Sequence, residues 1–270
     1  MGKDNEKINT VAIYTHNYSK IFSPAFIKYT IKITFINIIQ TLKLIWQKGE
    51  KLVEIEGIIS KFNINNKKDL YRLHKDFEGD YAKEIILAYK KLGKGGKTIN
   101  VGSAQGFYVI FSALAGNNVI AFEPDPEIFN ILKKNVDLNK VETKVICINY
   151  ALGDKIGKGI LFTSGASGPA PNFNSQDGFK KKIEVPIFRM DNVINDSPDI
   201  LVIDVEGYEE KVLKGMGDLR PKDIFIEIHP DRLSKLGTSE EVVRKILTDY
   251  GYKLRNQYRR RKEFHSHFSI

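Results

Sequence analysis

Two stretches in the first part of the chain differ in their pattern of apolar and polar residues. Between Ile31 and Trp46, apolar residues recur every three or four positions, which is typical of one face of an amphipathic helix. The Asn-rich segment Lys61–Lys68 is polar and predicts a turn or loop. We therefore expect residues 1–80 to form a helical N-terminal accessory region. Its apolar face is expected to pack on the rest of the protein or on a second subunit, and contact with a membrane surface is the alternative.

From residue 81 onward, segments with helical spacing alternate with short apolar runs. The predicted helices are Tyr81–Leu92, Phe107–Ala115, Pro126–Leu138, Tyr208–Lys214 and a segment from Ser239 to Tyr250. The predicted strands between them are Thr98–Gly102, Val119–Glu123, Lys144–Asn149, Ile200–Asp204 and Asp223–Ile228. Strands that alternate with helices across short connections form a mostly parallel sheet with helices on both faces. Residues 81–270 are therefore predicted to be one α/β domain.

Two further pairs of strands interrupt or end this alternation. Gly159–Thr163 and Ile183–Phe188 are predicted to form a hairpin, and the loop at residues 164–172 that joins them is rich in glycine, serine and proline. Two interpretations of this loop stay open, a mobile tip near the active face or a passive surface loop. At the end of the chain, Tyr252–Arg255 and Glu263–Ile270 are predicted strands that lie antiparallel at one edge of the sheet.

The first predicted strand of the domain leads into a turn that contains glycine. Gly102 and Gly106 flank Ser103-Ala104-Gln105, and a glycine at a strand end permits a tight turn and the close approach of a ligand. Glu123 stands at the tip of the next strand, about twenty residues after Gly102, where a nucleotide-binding βαβ unit places its ribose ligand. The alternative is an ordinary strand–turn–helix with a glutamate on the surface.

The spacing of the two glycines narrows the choice of cofactor. The dinucleotide fingerprint Gly-x-Gly-x-x-Gly is absent, so no close approach of a pyrophosphate is required. A ligand that carries a ribose and a small carboxylate fits better, and S-adenosylmethionine is such a ligand. The predicted cofactor-binding residues are Asn100, Gly102, Ser103, Ala104, Gln105, Gly106, Phe107, Glu123, Pro124, Asn149, Tyr150, Ala151 and Asp204.

Five motifs carry a resemblance to one family. They are Asn100–Tyr108, Ala121–Pro124, Ala151–Asp154, Ile203–Glu209 and Ile226–Pro230. On these residues the chain resembles the FkbM family of S-adenosylmethionine-dependent methyltransferases, over roughly residues 97–254. The resemblance implies a Rossmann-like class I methyltransferase fold, and O-methylation of a hydroxyl group on a sugar, a glycan or another small molecule.

Two residues depart from the family's pattern. Asn100 stands where the family usually has Asp, and Gln105 stands where it usually has Asn. The Asp normally lies towards the ammonium group of the cofactor, and Asn100 offers a carbonyl oxygen without the charge. Two alternatives follow from this departure: weaker cofactor binding, or a catalytically inactive scaffold with the same fold.

Three polar residues at the strand ends are candidates for catalysis. Ligands bind beyond the carboxyl ends of parallel strands, so Asp204, Glu206 and His229 are expected near one cavity. A base helps to remove the proton of an attacking hydroxyl group, and we predict this role for Asp204 first, then for Glu206 and His229. The alternatives are that Asp204 caps the following helix and that His229 packs beneath the rim.

The overall charge raises a second class of acceptor. The 270 residues include 42 Lys or Arg and 33 Asp or Glu, which gives a formal net charge of +9. A basic run near the C-terminus offers contacts to phosphates, which makes an RNA methyltransferase the alternative function. We prefer a small-molecule or glycan acceptor, because Ile203–Glu206 replaces the Pro-Pro-Tyr-type element of many base methylases. The basic residues are Arg255, Arg259, Arg260, Arg261 and Lys262.

Several kinds of site and segment are not expected. Cys147 is the single cysteine, so no disulfide forms within one chain. The histidines show no ligand spacing, and no metal site is predicted. The N-terminus lacks a signal-peptide pattern, and the most apolar run is too short and too polar to cross a bilayer. A cytoplasmic protein is expected, with a homodimer left open.

Overall fold

The computed structural model describes residues 49–64, 79–165, 170–174 and 178–270. The amphipathic segment Ile31–Trp46 lies outside the described residues. Within the described part of the chain, no helix is both long enough and apolar enough to cross a membrane.

Seven strands form the central sheet, in the order β5-β4-β3-β9-β10-β12-β11. The strands β5, β4, β3, β9 and β10 are parallel, whereas β12 runs antiparallel to β10 and β11 antiparallel to β12. Their bounds are β3 (Lys97–Val101), β4 (Asn118–Phe122), β5 (Val145–Ile148), β9 (Ile200–Ile203), β10 (Asp223–Ile228), β11 (Lys253–Arg260) and β12 (Glu263–Ser269). The predicted α/β fold with an antiparallel edge is therefore confirmed.

Helices cover both faces of this sheet. The longer ones are α1 (Asp80–Leu92), α2 (Phe107–Leu114), α3 (Pro126–Leu138) and α7 (Glu240–Asp249), and the shorter ones are α4 (Met190–Val193), α5 (Glu209–Lys214) and α6 (Pro230–Lys235). The sequence did not predict α4 or α6. Alternate strand residues serve the two faces: Ile99 and Val101 pack in the core with α5 and α7, whereas Val119 and Ala121 pack with α2 and α3.

A smaller sheet adjoins the central one. It consists of β6 (Ala151–Leu152), β8 (Lys181–Phe188) and β7 (Gly157–Thr163), in that order. The strands β7 and β8 are antiparallel, as predicted for this hairpin. The chain after β7 pairs back on it through an antiparallel bridge between Phe162 and Asn172, which directs the following residues towards the carboxyl ends of the central strands.

The described part of the accessory region is a β-hairpin and not a helix. Its strands are β1 (Gly49–Ile55) and β2 (Ile58–Ile64), and they pair antiparallel across a two-residue turn. Both turn residues have positive φ, 52° at Glu56 and 76° at Gly57, as a tight hairpin of this kind requires. The prediction of a loop at Lys61–Lys68 is therefore wrong up to Ile64, where β2 ends. In this part of the segment, polar residues alternate with buried apolar ones.

The hairpin packs on α2 and α3 through one apolar contact and a set of amide hydrogen bonds. Phe62 is fully buried and stacks on Phe107 of α2, with 6.0 Å between the ring centroids. From α3, the side-chain oxygen of Asn135 accepts the backbone N–H of Asn63 at 3.0 Å. The hairpin is therefore part of the same core that supports the turn after β3.

Candidate active site

A cavity of about 530 Å³ opens at the carboxyl ends of β3, β4 and β9. Nine of the predicted site residues line it: Gly102, Ala104, Gln105, Glu123, Pro124, Tyr150, Ala151, Asp204 and Glu206. They come from four separate stretches of the chain, which the parallel sheet brings to one edge.

The glycine turn, residues 102–106, forms one wall of the cavity. Gly102 and Gly106 have φ values of 80° and 90°, and Ala104 has a φ of 47°. A Cβ atom at Gly102 would lie 1.8 Å from the backbone carbonyl oxygen of Asp204. Only glycine therefore allows the end of β3 to approach the end of β9 this closely.

Glu123 ties the glycine turn to the start of α3. Its carboxylate accepts two backbone N–H groups, that of Ala104 at Oε2 and that of Asp125 at Oε1, each at 2.9 Å. Asn149 donates to the backbone carbonyl oxygen of Glu123 at 2.8 Å. Glu123 also lines the cavity, so the carboxylate that holds the glycine turn lies at the cavity wall.

Six predicted site residues lie behind the cavity wall or beside it. Asn100 and Ser103 are buried, and the Ser103 hydroxyl donates to the backbone oxygen of Asn100 at 3.1 Å. Phe107 packs on Phe62 and is a core residue, which corrects its assignment to the cofactor. None of the six is among the described residues that line the cavity. They are Asn100, Ser103, Gly106, Phe107, Asn149 and His229.

Asp204 and Glu206 line another part of the cavity wall. They belong to the carboxylate–histidine cluster, which consists of Asp204, Glu206, Glu209, Glu227 and His229. The imidazole of His229 is 2% exposed, and its Nδ1 lies 2.8 Å from Oε1 of Glu209. Its Nε2 faces three other carboxylates, at 3.3 Å from Glu206, 3.5 Å from Glu227 and 3.9 Å from Asp204. His229 is not among the described residues that line the cavity, whereas Asp204 and Glu206 are, and its catalytic role stays a prediction.

The surroundings of the cluster control the protonation of its members. Burial alone would lower the pKa of His229, but the charge of Glu206 and the hydrogen bond with Glu209 raise this pKa well above its usual value. Burial would raise the pKa of Glu227, but His229 and His265 hold it well below its usual value. Glu227 and His229 therefore each favour their charged form.

Backbone strain and a cation fix Glu206 at the edge of the cluster. Glu206 has a φ of 53°, a conformation that costs about 1 kcal/mol or more for a non-glycine residue. Its Oε2 lies 3.0 Å from Nε of Arg232, and its backbone oxygen accepts the side-chain amide of Asn174 at 2.9 Å. These contacts hold the Glu206 carboxylate towards both Arg232 and His229.

Several cavity residues were not identified from the sequence. The loop after β7 contributes Ala170, Pro171 and Phe173, which agrees with the interpretation that part of it lies near the active face. Arg261, which the sequence assigned to a phosphate-binding run, lines the cavity instead. The other unpredicted residues that line the cavity are Val101, Phe122, Ile128, Leu152, Leu161, Val205, Tyr208, Arg232 and Glu263.

Comparisons with known proteins agree with the arrangement of this site. The model of the family described as "Methyltransferase FkbM domain" matches residues 100–254. The hexuronic acid methyltransferase AglP of Haloferax volcanii is 26% identical over 188 residues, which are 67% of this chain and 75% of that protein.

Solved structures of methyltransferases are more distant. Precorrin-6y C5,15-methyltransferase from Geobacter metallireducens has a TM-score of 0.45 at 12% identity, over 72% of this chain and 89% of that one. TYW2 from Pyrococcus horikoshii, in complex with MeSAdo, has a TM-score of 0.46 at 14% identity, over 82% of this chain and 70% of that one. The family match covers more than half of the chain and includes every described residue that lines the cavity except Arg261 and Glu263, so the protein belongs to the FkbM family of methyltransferases.

Proposed function

We propose that this methyltransferase transfers the methyl group of S-adenosylmethionine to a hydroxyl group of an acidic sugar. The observation that supports this most strongly is the composition of the cavity walls. One wall is the glycine turn with Glu123, and the other carries Asp204 with two arginines, Arg232 and Arg261. In this proposal the first wall binds the nucleoside, Asp204 is the base, and the two arginines attract an anionic acceptor.

The first wall suits the cofactor. We assign the recognition of the ribose hydroxyls to the Glu123 carboxylate, which lines the cavity, and Tyr150 offers an aromatic face beside it. The Tyr150 ring lies 4.5 Å from the ring of Phe188. When bound, S-adenosylmethionine supplies a methyl group on a sulfonium, which is already a strong electrophile. The protein has mainly to align the acceptor oxygen with that methyl group, because proximity is the largest contribution in such a transfer.

The second wall suits the acceptor hydroxyl. Asp204 lines the cavity, and its side chain is 35% exposed, so its carboxylate is within reach of a bound ligand. We assign to Asp204 the removal of the hydroxyl proton, which contributes typically 10²–10⁴-fold to such reactions. Behind it, the His229 imidazole, held by Glu209, positions the cluster and does not contact the substrate.

Arginine at the mouth of the cavity favours an acceptor that carries a carboxylate. Arg261 is exposed and lines the cavity, and its guanidinium makes no hydrogen bond or ion pair within the described part of the chain. A guanidinium binds a carboxylate through two parallel hydrogen bonds. The relative from Haloferax volcanii is named for hexuronic acid, and a sugar of that class carries the carboxylate that Arg261 would recognise.

Calorimetric titration tests the cofactor assignment. We expect the wild-type protein to bind S-adenosylmethionine and S-adenosylhomocysteine, and Glu123→Ala to weaken both at least tenfold because the ribose acceptor and the support of Ala104 are lost. Glu142→Ala removes an exposed carboxylate from the turn before β5 and is the matched control. No binding to folded wild-type protein at millimolar cofactor would contradict the assignment.

Methyl transfer from labelled cofactor tests the acceptor class. We expect transfer to glucuronic or galacturonic acid glycosides in preference to the matching neutral hexosides. Arg261→Ala should raise KM for the acidic acceptor about tenfold or more and leave the neutral one unchanged. Arg255→Ala removes the same charge from β11, where Arg255 contacts Ser269 and does not line the cavity. Equal rates on both acceptors would rule out an acidic sugar.

RNA is the second candidate acceptor because exposed basic residues lie on β11. Lys253, Arg255 and Arg259 are exposed there, whereas Lys262 is paired with Asp231 at 2.7 Å. Binding of RNA that weakens steeply with salt, with methyl transfer to RNA, would favour this candidate. A homodimer or a membrane contact through the N-terminal apolar face stays a prediction, since that segment lies outside the described residues.

A further inference from the structure

We propose that the carboxylate–histidine cluster is a binding site for one divalent metal ion, with Asp204, Glu227 and His229 as its protein ligands. One donor atom from each of the three residues lies within 4.8 Å of the other two. Donor atoms that share an ion at about 2.1 Å lie roughly 3–3.5 Å apart, so a shift of less than 1 Å would bring the three around one ion. The proposal is independent of the acceptor.

The orientation of His229 indicates a ligand at Nε2. Glu209 Oε1 lies 2.8 Å from Nδ1, and a carboxylate in this position fixes the tautomer of a metal-binding histidine, with the proton on Nδ1 and the lone pair on Nε2. The residue is 2% exposed, and Nε2 makes no hydrogen bond within the described part of the chain. The nitrogen is therefore buried and directed at carboxylate oxygens.

The charge of the cluster also favours a cation. Asp204, Glu206, Glu209 and Glu227 bring four carboxylates around His229, and Arg232 adds one positive charge beside Glu206. His229 must be neutral to bind a metal, so the carboxylates then exceed the one cation, Arg232, in charge. Burial of excess negative charge is costly, and one divalent ion offsets it.

The ligand types narrow the identity of the ion. Imidazole suits Zn²⁺ and other transition metals, whereas carboxylates suit Mg²⁺, Ca²⁺ and Mn²⁺. One imidazole with two carboxylates therefore points to Mn²⁺ or Zn²⁺ in preference to Mg²⁺. Asp204 lines the cavity, so an ion bound to it would be accessible to an oxygen of the acceptor.

A neighbouring set of side chains is the alternative location. Glu227, Glu263 and His265 also bring donor atoms within 4.8 Å of one another. The two sets share Glu227, so a variant of that residue does not separate them. Asp204→Asn and His265→Gln do separate them.

Metal binding to the full-length protein, freed of metal by chelation, tests the proposal without cofactor or acceptor. We expect one Mn²⁺ or Zn²⁺ per chain by calorimetry, with Mn²⁺ binding also seen as loss of the free-ion electron paramagnetic resonance signal. Asp204→Asn should weaken binding at least tenfold. Glu209→Gln should weaken it 10–100-fold, because Glu209 contacts the imidazole of His229 and neither of the other two ligands. Because the metal is measured alone, failure here leaves the proposed methyl transfer untouched.

His267→Gln is the matched control, because His267 lies between two carboxylates outside the cluster, 2.6 Å from Glu84 and 2.8 Å from Asp223. We expect it to bind metal as the wild-type protein does, and thermal unfolding should show that every variant is folded. No binding of Mn²⁺ or Zn²⁺ at millimolar concentration would overturn the proposal. Loss of binding in His265→Gln, with Asp204→Asn unaffected, would overturn it in favour of the neighbouring set.

Discussion

The two walls of the cavity are built by different physical means. In the glycine turn, backbone groups are paired locally: the N–H groups of Gly102 and Ser103 both donate to the Phe122 carbonyl at 3.0 Å, and that of Ala104 donates to Glu123. The carboxylate–histidine cluster instead gathers ionisable side chains from the ends of β9 and β10 and from the start of α5. Backbone hydrogen bonds therefore define the shape of one wall, and charge defines the other.

This difference predicts how each wall responds to mutation. A change in the glycine turn disturbs backbone geometry, so it should lower stability and cofactor binding together. In the cluster, Asp204 is 35% exposed and lies where carboxylates outnumber cations, so a change at this residue should lower activity with little loss of stability. The following variants test that distinction, from the largest expected effect to the smallest.

Asp204→Asn should have the largest effect. It keeps the size of the side chain and removes the proposed base, so we expect kcat to fall by 10²–10⁴-fold, with the Kd for S-adenosylmethionine changed less than threefold. Single-turnover methyl transfer and calorimetry measure the two quantities. Asp231→Asn, which removes an exposed carboxylate that pairs with Lys262, is the control. A fall in cofactor affinity as large as the fall in kcat would place Asp204 in the cofactor site instead.

Gly102→Ala should lower stability most. The new Cβ would lie 1.8 Å from a backbone oxygen, at a φ of 80°, so the ends of β3 and β9 must separate. We expect the free energy of unfolding to fall by about 3 kcal/mol or more, since overpacking and a left-handed conformation both contribute. Urea denaturation measures this loss.

Gly95→Ala is the matched control for that variant. Gly95 has a φ of 85°, and a Cβ there would meet nothing within 4 Å. Only the conformational cost then applies, about 1–2 kcal/mol. Equal losses in the two variants would mean that the approach of β3 to β9 is not constrained at Gly102.

The glycine turn was the part of the site that the sequence predicted best, because its signals are local. Glycine spacing, an apolar strand and an acid about twenty residues later all act over short distances. The bounds of α3 and β10 agree with prediction to the residue, since Asp125 caps α3 through its side chain and Pro126 follows as its first residue. Neither feature depends on distant parts of the chain.

The carboxylate–histidine cluster was predicted only in part, because its character depends on tertiary packing. Glu209 reads as an ordinary acid in the first turn of a helix, yet it is fully buried and bonds His229, twenty positions away. Glu227 lies in an apolar strand, and His265 on β12 becomes its neighbour only when β10 and β12 pair. Sequence spacing therefore placed Asp204 and Glu206 at the cavity, and the burial of His229 agrees with the alternative that it packs beneath the rim.

The hairpin β1–β2 was missed for a similar reason. Its polar residues suggested a loop, but Asn63 and Lys61 meet side-chain amides of α3 more than seventy positions away, Asn135 and Asn139 respectively. The hairpin also reaches the cofactor wall, because the side-chain N–H of Asn135 donates to the backbone oxygen of Gln105 at 2.9 Å. The accessory region thus supports the glycine turn through one buried amide.

Asn135→Ala tests that support and should have an intermediate effect. It leaves the Asn63 N–H and the Gln105 carbonyl without their partner, which costs about 1–3 kcal/mol for buried groups. We also expect weaker binding of S-adenosylmethionine, by about threefold or more. Asn139→Ala also breaks hydrogen bonds to β2, at Lys61, but does not touch Gln105. If both variants weaken cofactor binding equally, the effect comes from the hairpin as a whole and not from the bond to the glycine turn.

His267 gives the smallest expected effect and contrasts with His229, because each of its ring nitrogens makes a hydrogen bond with a carboxylate. Burial would lower its pKa, but the hydrogen bonds with Asp223 and Glu84 raise it above its usual value. A raised pKa in the folded state means that this stabilisation is fully present below about pH 6.5, the usual value for the unfolded chain, and is lost as the pH rises through the higher folded value. We therefore expect His267→Gln to lower the free energy of unfolding by about 1 kcal/mol or less near pH 6, and by a smaller amount at pH 9, measured by urea denaturation. A larger loss at pH 9 than at pH 6 would mean that His267 is neutral in the folded protein, and that the two carboxylates do not hold it as a cation.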